Sequence, residues 1–370
     1  MSLVARMLAL LASLLAALGL SLPLGRVGDA DVTVLDRPLI LVFAILTAAS
    51  VARFRLMPLP SWIDGVLMAV GAVALLGALD TLDSAGVGFW FLTMAAWLVA
   101  WLFVDRVSSG RRPGALPHRL IALLVPVLFG LWILILWELV TRGFQVPTVL
   151  LPPPSMIGER FMASLPILWA DFQQTFLKAV LIGYVLGCGS GFIIAIAIDR
   201  SPFLQRGLLP VGNLVSALPI IGVAPIMVMW FGFDWPSKAA VVVIMTVFPM
   251  MVNAIAGLAQ TSTMERDLMR TYAAGYWQTL WKLRLPAAAP FIFNALKINS
   301  TLALIGAIVA EFFGTPIVGM GFRISTEVGR MNVDMVWAEI AVAALAGSAF
   351  FGIVALIERA VTFWHPSVRQ

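Results

Sequence analysis

The sequence predicts an all-α polytopic membrane protein with about ten transmembrane helices. Of its 370 residues, 61% are apolar and only 12% are charged. A water-soluble domain carries about 25% charged residues, so this chain has too little polar surface to cover a soluble globule. Its net charge of +5 does not indicate nucleic-acid binding, because the basic residues fall between apolar runs and form no basic stripe with interleaved aromatics.

The predicted spans follow from the lengths of the apolar runs. A transmembrane helix needs about 20 largely apolar residues, and the second and third runs are short for a span. The run at 1–24 also has the charged start and apolar centre of a signal peptide, but no small-residue cleavage site follows it, which favours a first transmembrane helix. The predicted spans are 4–24, 38–52, 62–79, 88–104, 120–141, 174–198, 208–231, 238–259, 291–312 and 336–357.

The orientation follows from the distribution of lysine and arginine. With the N-terminus in the cytoplasm and the spans alternating, the inside segments hold about twice as many basic residues as the outside loops. This predicts a multi-pass protein of the inner (plasma) membrane with both termini cytoplasmic.

A polar seam divides the predicted spans into two blocks. The sequence VSSGRRPGALPH at 107–118 lies on the predicted inside and contains glycine and proline. We therefore predict an N-terminal four-helix extension at 1–105, a cytoplasmic linker at 106–118, a six-helix core at 119–362 and a cytoplasmic tail at 363–370. The four-helix extension contains no motif that indicates a function.

The longest inside segment follows the eighth span, at about 260–290. It reads QTSTMERDLMRTYAAGYWQTLWKLRLPAAAP, with apolar side chains at about helical spacing and basic residues among them. This pattern predicts short amphipathic helices whose apolar sides pack against another surface. A membrane surface and a groove on a soluble partner both fit the pattern.

This segment resembles the coupling loop of binding-protein-dependent ABC importer permeases. The family pattern is Glu-Ala-Ala, three residues, Gly, nine residues, Ile, one residue, Leu-Pro. Here the acidic residue, the spacing, the aliphatic residue and the Leu-Pro pair match, whereas alanine replaces the glycine and two larger residues replace the alanines. The resemblance assigns ATPase coupling to Asp267, Leu268, Met269, Ala273, Gly275, Leu283, Leu285 and Pro286.

Further stretches agree with permeases of the nitrate, sulfonate and taurine type, in the order that the family has them, and the resemblance covers roughly 120–362. The residues 1–105 lie outside it, because those permeases usually have about six spans. The matching stretches are Leu150–Ser155, Ala217–Pro219 with Ala224–Pro225, Trp230–Gly232 with Ser237–Lys238, Phe248–Pro249 with Asn253, and Ala310–Glu311 with Gly319–Gly321.

The resemblance implies a mechanism and a set of partners. The last six helices would form a type I ABC importer permease core that provides the path for a small nutrient, such as a sulfonate, nitrate or vitamin precursor. The partners would be a cytoplasmic ATP-binding-cassette ATPase, a second permease copy or homologue, a periplasmic or lipid-anchored solute-binding protein, and membrane lipid. No cofactor is expected in this chain, ATP would bind the partner subunit, and no nucleic-acid partner is expected.

Several intramembrane residues are candidates for the translocation path or a gate. Pro219 and Pro225 fall in the seventh predicted span, where proline kinks or breaks a helix, and the polar side chains of Asn253 and Glu311 fall in or near later spans. For Glu311 we favour a gate or packing role over ligand contact. For Lys297 we expect a structural role at the membrane interface, which its long side chain can reach.

Other motifs bear on helix packing and on catalysis. Gly183, Gly187 and Gly191 recur every four residues, which favours close helix packing within the chain over a subunit contact. The sequence contains no Gly-x4-Gly-Lys-Ser/Thr phosphate-binding loop. Its two histidines and one cysteine do not make a zinc site or a disulfide framework, so we expect no enzymatic activity in this chain.

Two alternatives stay open on the sequence. A secondary transporter driven by an ion gradient would work without an ATPase and would usually show repeats between its halves, which are not evident here. A membrane enzyme or scaffold would need converging polar residues, which are also not evident. The transported solute and the homodimeric or heterodimeric state do not follow from the sequence.

Overall fold

The chain folds into two compact units, at residues 1–157 and 158–370. The computed structural model describes residues 3–49, 61–108, 118–216, 219–314 and 317–364. Most of the predicted linker at 106–118 and the end of the predicted tail at 363–370 lie outside these ranges. The predicted domain boundaries therefore stay predictions.

Within the described residues, the first unit contains helices α1 to α5 and the start of α6. Its three short strands form an antiparallel sheet in the order β2-β1-β3, with Gly25 opposite Val32 and opposite Ala85. The sequence analysis did not predict this sheet. The elements are α1 (Leu3–Ser21), β1 (Gly25–Val27), β2 (Ala30–Val32), α2 (Pro38–Ala49), α3 (Ser61–Leu79), β3 (Ser84–Ala85), α4 (Val87–Ser108), α5 (His118–Gly143) and the start of α6 (Pro154–Ala163).

Large apolar side chains make the core of the first unit. Phe43, Leu75 and Phe89 are completely buried in one cluster that α1 to α5 share. The carboxylate of Asp64 on α3 is paired with the guanidinium of Arg106 on α4. This charge pair is needed because an isolated charge in an apolar environment is costly.

The second unit is also helical, and two of its long helices contain π-helical turns. The π-helical stretches are Gln173–Val180 and Leu280–Arg284. The remaining elements are α7 (Leu165–Phe172), α8 (Leu181–Arg200), α9 (Pro202–Ser216), α10 (Ile220–Phe231), α11 (Trp235–Leu258), α12 (Thr263–Thr271), α13 (Tyr276–Thr279), α14 (Leu285–Glu311), α15 (Met320–Gly329) and α16 (Val333–Val361).

The glycine repeat of α8 packs against α11. A Cβ atom added at Gly183 would lie 2.6 Å from the Cβ of Val242, and atoms of the same helix crowd the equivalent positions at Gly187 and Gly191. Only residues without a side chain allow the two helices to approach this closely. The expected packing within the chain is therefore observed.

The helices agree with the predicted spans. Within the described residues, seven are long and apolar enough to cross a membrane, at Val4–Ser21, Val87–Ser108, Leu123–Gly143, Leu165–Arg200, Trp235–Leu258, Tyr276–Glu311 and Val333–Val361. Three shorter apolar helices, Pro38–Ala49, Ile63–Leu79 and Ile220–Phe231, fall at the second, third and seventh predicted spans. The all-α polytopic class is thus confirmed.

The seventh predicted span, at 208–231, is interrupted. Helix α9 ends at Ser216 and helix α10 begins at Ile220, with Pro219 as its N-cap residue. Pro219 has extended backbone angles, and Pro225 lies inside α10. Of the two prolines expected to kink or break this span, Pro219 lies at the interruption, whereas α10 continues through Pro225.

Candidate functional site

The segment at 260–290, called the coupling segment below, begins with a well-capped helix. The Ser262 hydroxyl accepts a hydrogen bond from the Glu265 backbone N–H, and the Glu265 carboxylate accepts one from the Ser262 N–H at 2.8 Å. This reciprocal capping box satisfies two of the free N–H groups at the start of α12. The helix therefore starts at a position that its own sequence defines.

The helix ends in a left-handed turn at Ala273. Its φ is 51°, its N–H donates to the Arg270 carbonyl, and the Ala274 N–H donates to the Met269 carbonyl at 3.0 Å. These two bonds define a Schellman motif, which usually has glycine at the left-handed position. The position is the one at which the family pattern has glycine, and the structure keeps the turn with alanine there.

The base of the coupling segment is fixed to the end of α8. The Arg284 guanidinium donates two hydrogen bonds of 2.6 Å to the Asp199 carboxylate and another to the Leu258 carbonyl. The Tyr276 hydroxyl donates to the same carboxylate at 3.0 Å. A bidentate arginine–carboxylate pair fixes orientation as well as distance, so the segment is held firmly where it joins the membrane helices.

The tip of the segment is apolar and exposed. Met264, Leu268 and Tyr272 are 81%, 56% and 78% exposed, and their spacing of four residues places them on one face of α12 and its end. The side chains of Trp277 and Trp281 are exposed as well. We call these five residues the apolar ridge.

The predicted coupling residues take different places in this arrangement. Asp267 pairs with Arg270 at the surface, at 3.1 Å, and Gly275 is the N-cap residue of α13. The aliphatic side chain of Leu285 packs on a buried cluster that includes Leu258 and Leu280. The half-buried residues at the end of the segment are Leu283, Leu285 and Pro286, so they support the segment rather than form its exposed face.

A second candidate site, built from polar side chains, lies around Glu311 at the end of α14. Glu311 is 2% exposed, and its carboxylate accepts hydrogen bonds of 2.7 Å from the Thr175 hydroxyl and from the Gly321 N–H. The Thr175 hydroxyl in turn accepts from the Met320 N–H. Glu311 therefore holds the start of α15, and its packing or gate role stays a prediction.

Asp171 completes this arrangement, which we call the carboxylate latch. It accepts a hydrogen bond from the Gly319 N–H at 2.6 Å and from the Arg323 guanidinium at 2.8 Å. The sequence analysis missed Asp171, Thr175 and Arg323. The only signal was the spacing of Asp171 and Thr175, which are four residues apart and so share a helix face.

A glycine is needed at the centre of the latch. Gly319 has φ 143°, and a Cβ atom there would lie 2.8 Å from the Glu311 carboxylate. Both the backbone angle and the close approach exclude an ordinary side chain.

The path candidate Asn253 and the intramembrane Lys297 each have a separate partner. The Asn253 side chain donates to the Pro249 carbonyl at 2.8 Å and accepts from Asn294. Lys297 forms an ion pair of 2.7 Å with Glu358 of the last helix. This ion pair joins α14 to α16, and the role expected for Lys297 at the membrane interface stays a prediction.

A buried lysine lies near the latch. Lys238 is 1% exposed, and its ammonium donates to the carbonyls of Phe233 and Gly314. In the described parts of the chain, the structure has no group of three or more His, Cys, Asp or Glu side chains that could hold a metal ion.

Comparison with known proteins identifies the family. The model of the family described as "Binding-protein-dependent transport system inner membrane component" matches residues 183–363. The chain is 30% identical over 240 residues to a probable ABC transporter permease protein of Haemophilus influenzae. The aligned region covers 65% of this chain and 97% of the relative.

Two further relatives have names that state a solute. The chain is 30% identical over 242 residues to the formylaminopyrimidine transport permease protein ThiX of Halalkalibacterium halodurans, covering 65% of this chain and 96% of the relative. It is 25% identical over 250 residues to the taurine transport system permease protein TauC of Escherichia coli, covering 66% and 88%. The chain belongs to the family of binding-protein-dependent transport system inner-membrane components, the non-enzymatic permease subunits of ABC importers, whose ATPase is a separate chain.

Proposed function

We propose that this chain, with a second permease copy or homologue, forms the path through which a small polar nutrient is imported. In this proposal the coupling segment docks on a cytoplasmic ATP-binding-cassette ATPase, and an external solute-binding protein delivers the solute. The N- and C-termini are cytoplasmic, which agrees with the excess of basic residues on that side.

The observation that carries the coupling proposal is the contrast between the tip and the base of the segment. The apolar ridge is exposed to solvent, whereas Arg284 is fixed to Asp199 at the base. An exposed apolar ridge on a surface helix fits a hydrophobic groove on a partner. Because the base is rigid, a displacement of the tip is transmitted to α8 and α14.

The nature of the solute is proposed from the relatives. The names of five relatives state formylaminopyrimidine, riboflavin, aliphatic sulfonates, taurine and bicarbonate. These solutes are small and polar, and most carry an acidic group. We therefore propose a sulfonate, nitrate or vitamin-precursor-like solute for this chain.

The test is co-purification of an ATPase from mild detergent. The tagged chain is expressed with its neighbouring genes, either as wild type or with Leu268→Asp and Tyr272→Asp on the apolar ridge. We expect the wild type to retain a P-loop ATPase and the double variant to lose it, because two charges in an apolar contact cost several kcal/mol, roughly 4 or more.

The matched control is Val328→Asp, which adds a charge at an exposed apolar side chain of α15. It should retain the ATPase. Retention of the ATPase by the double variant would rule out docking through the ridge. If the wild type retains no ATPase at all, an ion-gradient-driven carrier becomes the better explanation.

A further inference from the structure

A polar cleft opens beside the π-helical stretch of the second unit. Its volume is about 530 Å³, and its lining includes side chains of the π-helical stretch, the α10–α11 turn and the segment before α15. This volume is within the range of small-molecule sites. The lining residues that matter below are Gln173, Gln174, Lys178, Phe233, Asp234 and Val318.

Lys178 brings a positive charge into this cleft. It lies within the candidate span Leu165–Arg200, and its side chain is exposed. A charged side chain in a membrane-spanning helix is costly and usually functional. The described structure gives its ammonium one hydrogen bond, of 3.0 Å to the Gln174 amide oxygen, although an ammonium has three N–H donors.

Asp234 brings a negative charge to the same wall. Its Oδ1 accepts hydrogen bonds from the Trp235 N–H at 2.8 Å and from the Gln174 amide at 2.6 Å. Among the described residues, no donor is recorded for its Oδ2. The Trp235 N–H, together with the Gln174 amide, holds the pKa of Asp234 below its usual range, so the carboxylate is ionised at neutral pH.

Gln174 fixes the two charged groups relative to each other. It is 7% exposed, and its amide accepts from Lys178 with one end and donates to Asp234 with the other. The cleft thus presents an ammonium and a carboxylate with spare hydrogen-bonding capacity, held by one buried amide. A solute that satisfies both carries an acidic oxygen group and an N–H donor.

Two features connect the cleft with transport. The residues Gln173, Gln174 and Lys178 lie in a π-helical stretch, and π-helical turns are rare and frequent at functional sites. Val318, which also lines the cleft, directly precedes Gly319 of the carboxylate latch. The latch therefore positions one wall of the cleft.

We propose that this cleft is a solute subsite for small zwitterions, in which Lys178 binds the acidic group and Asp234 binds the ammonium or N–H group. The inference rests on the proposed function and deepens it by naming the solute class. Both side chains are needed, because a cleft with only one of the two charges would leave one charged group of the zwitterion without a partner.

The test uses a cysteine placed in the cleft wall. Ala170 lines the cleft, and the single native cysteine, Cys188, is buried, so Ala170→Cys gives a reporter with wild type as the labelling blank. The labelling rate with a small maleimide is measured on the complex purified in detergent with its ATPase. The probes are taurine, which carries a sulfonate and an ammonium, ethanesulfonate, which lacks the amine, and ethylamine, which lacks the sulfonate.

We expect taurine to slow labelling of Ala170→Cys, and each one-group analogue to need at least about tenfold higher concentration. Adding Lys178→Gln or Asp234→Asn should raise the taurine concentration for half protection by about tenfold or more. Asparagine still caps a helix, so the second change retains the start of α11. Arg359→Gln, at an exposed cation of α16, should leave protection unchanged.

Two results overturn the inference. One is protection by none of the three probes; the other is protection by taurine that neither Lys178→Gln nor Asp234→Asn weakens. Equal protection by ethanesulfonate overturns the role of Asp234 and leaves an anion site. Because ATPase co-purification is scored on the same preparations, absence of protection with the ATPase present refutes the cleft alone, whereas absence of the ATPase refutes the proposed function.

Discussion

The Arg284 guanidinium and the Asp199 carboxylate meet through two hydrogen bonds of 2.6 Å, across 85 residues of sequence. Their side chains are 13% and 15% exposed. The pair connects the end of the coupling segment with the end of α8, so a force on the segment reaches two membrane helices. The Tyr276 hydroxyl donates a further hydrogen bond to the Asp199 carboxylate.

Arg284→Met should lower the free energy of unfolding by about 2–4 kcal/mol, because it leaves a largely buried carboxylate without its partner. The measurement is thermal or denaturant unfolding of the purified protein in detergent. The matched control is Arg270→Met, which breaks an ion pair whose side chains are 80% and 65% exposed and should change stability by less than about 0.5 kcal/mol. Equal effects of the two substitutions would show that the contact between Arg284 and Asp199 does not contribute to the free energy of unfolding.

Ala273→Gly should stabilise the coupling segment against local opening by about 0.5–1 kcal/mol, since the residue has φ 51° and glycine adopts that conformation without strain. The measurement is the rate of trypsin cleavage at Arg266 and Arg270, which should fall by about two- to fivefold if cleavage follows local opening. Ala274→Gly, one residue beyond the left-handed position, is the control and should not slow cleavage. Faster cleavage of the first variant would contradict the Schellman motif.

Glu311→Ala should destabilise the protein by about 3 kcal/mol or more, because the Thr175 hydroxyl and the Gly321 N–H lose a buried acceptor. Glu311→Gln should cost about 1 kcal/mol, since the amide oxygen can accept from Gly321 while the amide N–H₂ donates to Thr175. Unfolding in detergent and solute uptake by reconstituted complex are measured together. If the two variants are equally unstable, the negative charge itself matters, and the hydrogen-bond account of the latch is wrong.

The coupling segment shows what a sequence pattern can predict. The length of the inside segment after the eighth predicted span located it, and the amphipathic pattern predicted its helices. The resemblance to the family pattern then assigned Asp267, Ala273 and Leu285 to the coupling residues. Neither could show that Asp199 would meet Arg284, because the contact depends on how two helices are rotated about their axes. The same limit applies to Asp171 and Arg323, which are 152 residues apart.

The fold of the first unit shows another limit. Its strands contain two or three residues each, which is too short for a recognisable alternation of apolar and polar positions. Hydrophobicity, in contrast, is a strong signal in a membrane chain because every span must be long and apolar. The predicted span at 208–231 contains three prolines, Pro210, Pro219 and Pro225, so the sequence did not show that the interruption would fall at Pro219 rather than at the other two.

The ion pair between Lys297 and Glu358 allows a double-mutant test of charge burial in the second unit. The ammonium and carboxylate lie 2.7 Å apart, and their side chains are 22% and 16% exposed. Lys297→Met alone leaves an unpaired carboxylate, and Glu358→Gln alone leaves an unpaired ammonium. Each should lower the free energy of unfolding by about 2–4 kcal/mol.

The double variant should be more stable than either single variant, because it leaves neither charge without a partner. An interaction free energy of about 1–3 kcal/mol is expected from unfolding measurements on the four proteins. Additive effects would mean that each group is solvated separately, as expected if Lys297 reached the membrane interface. A coupled result would instead place the electrostatic partner of this intramembrane lysine on the last helix, so that α14 and α16 move together.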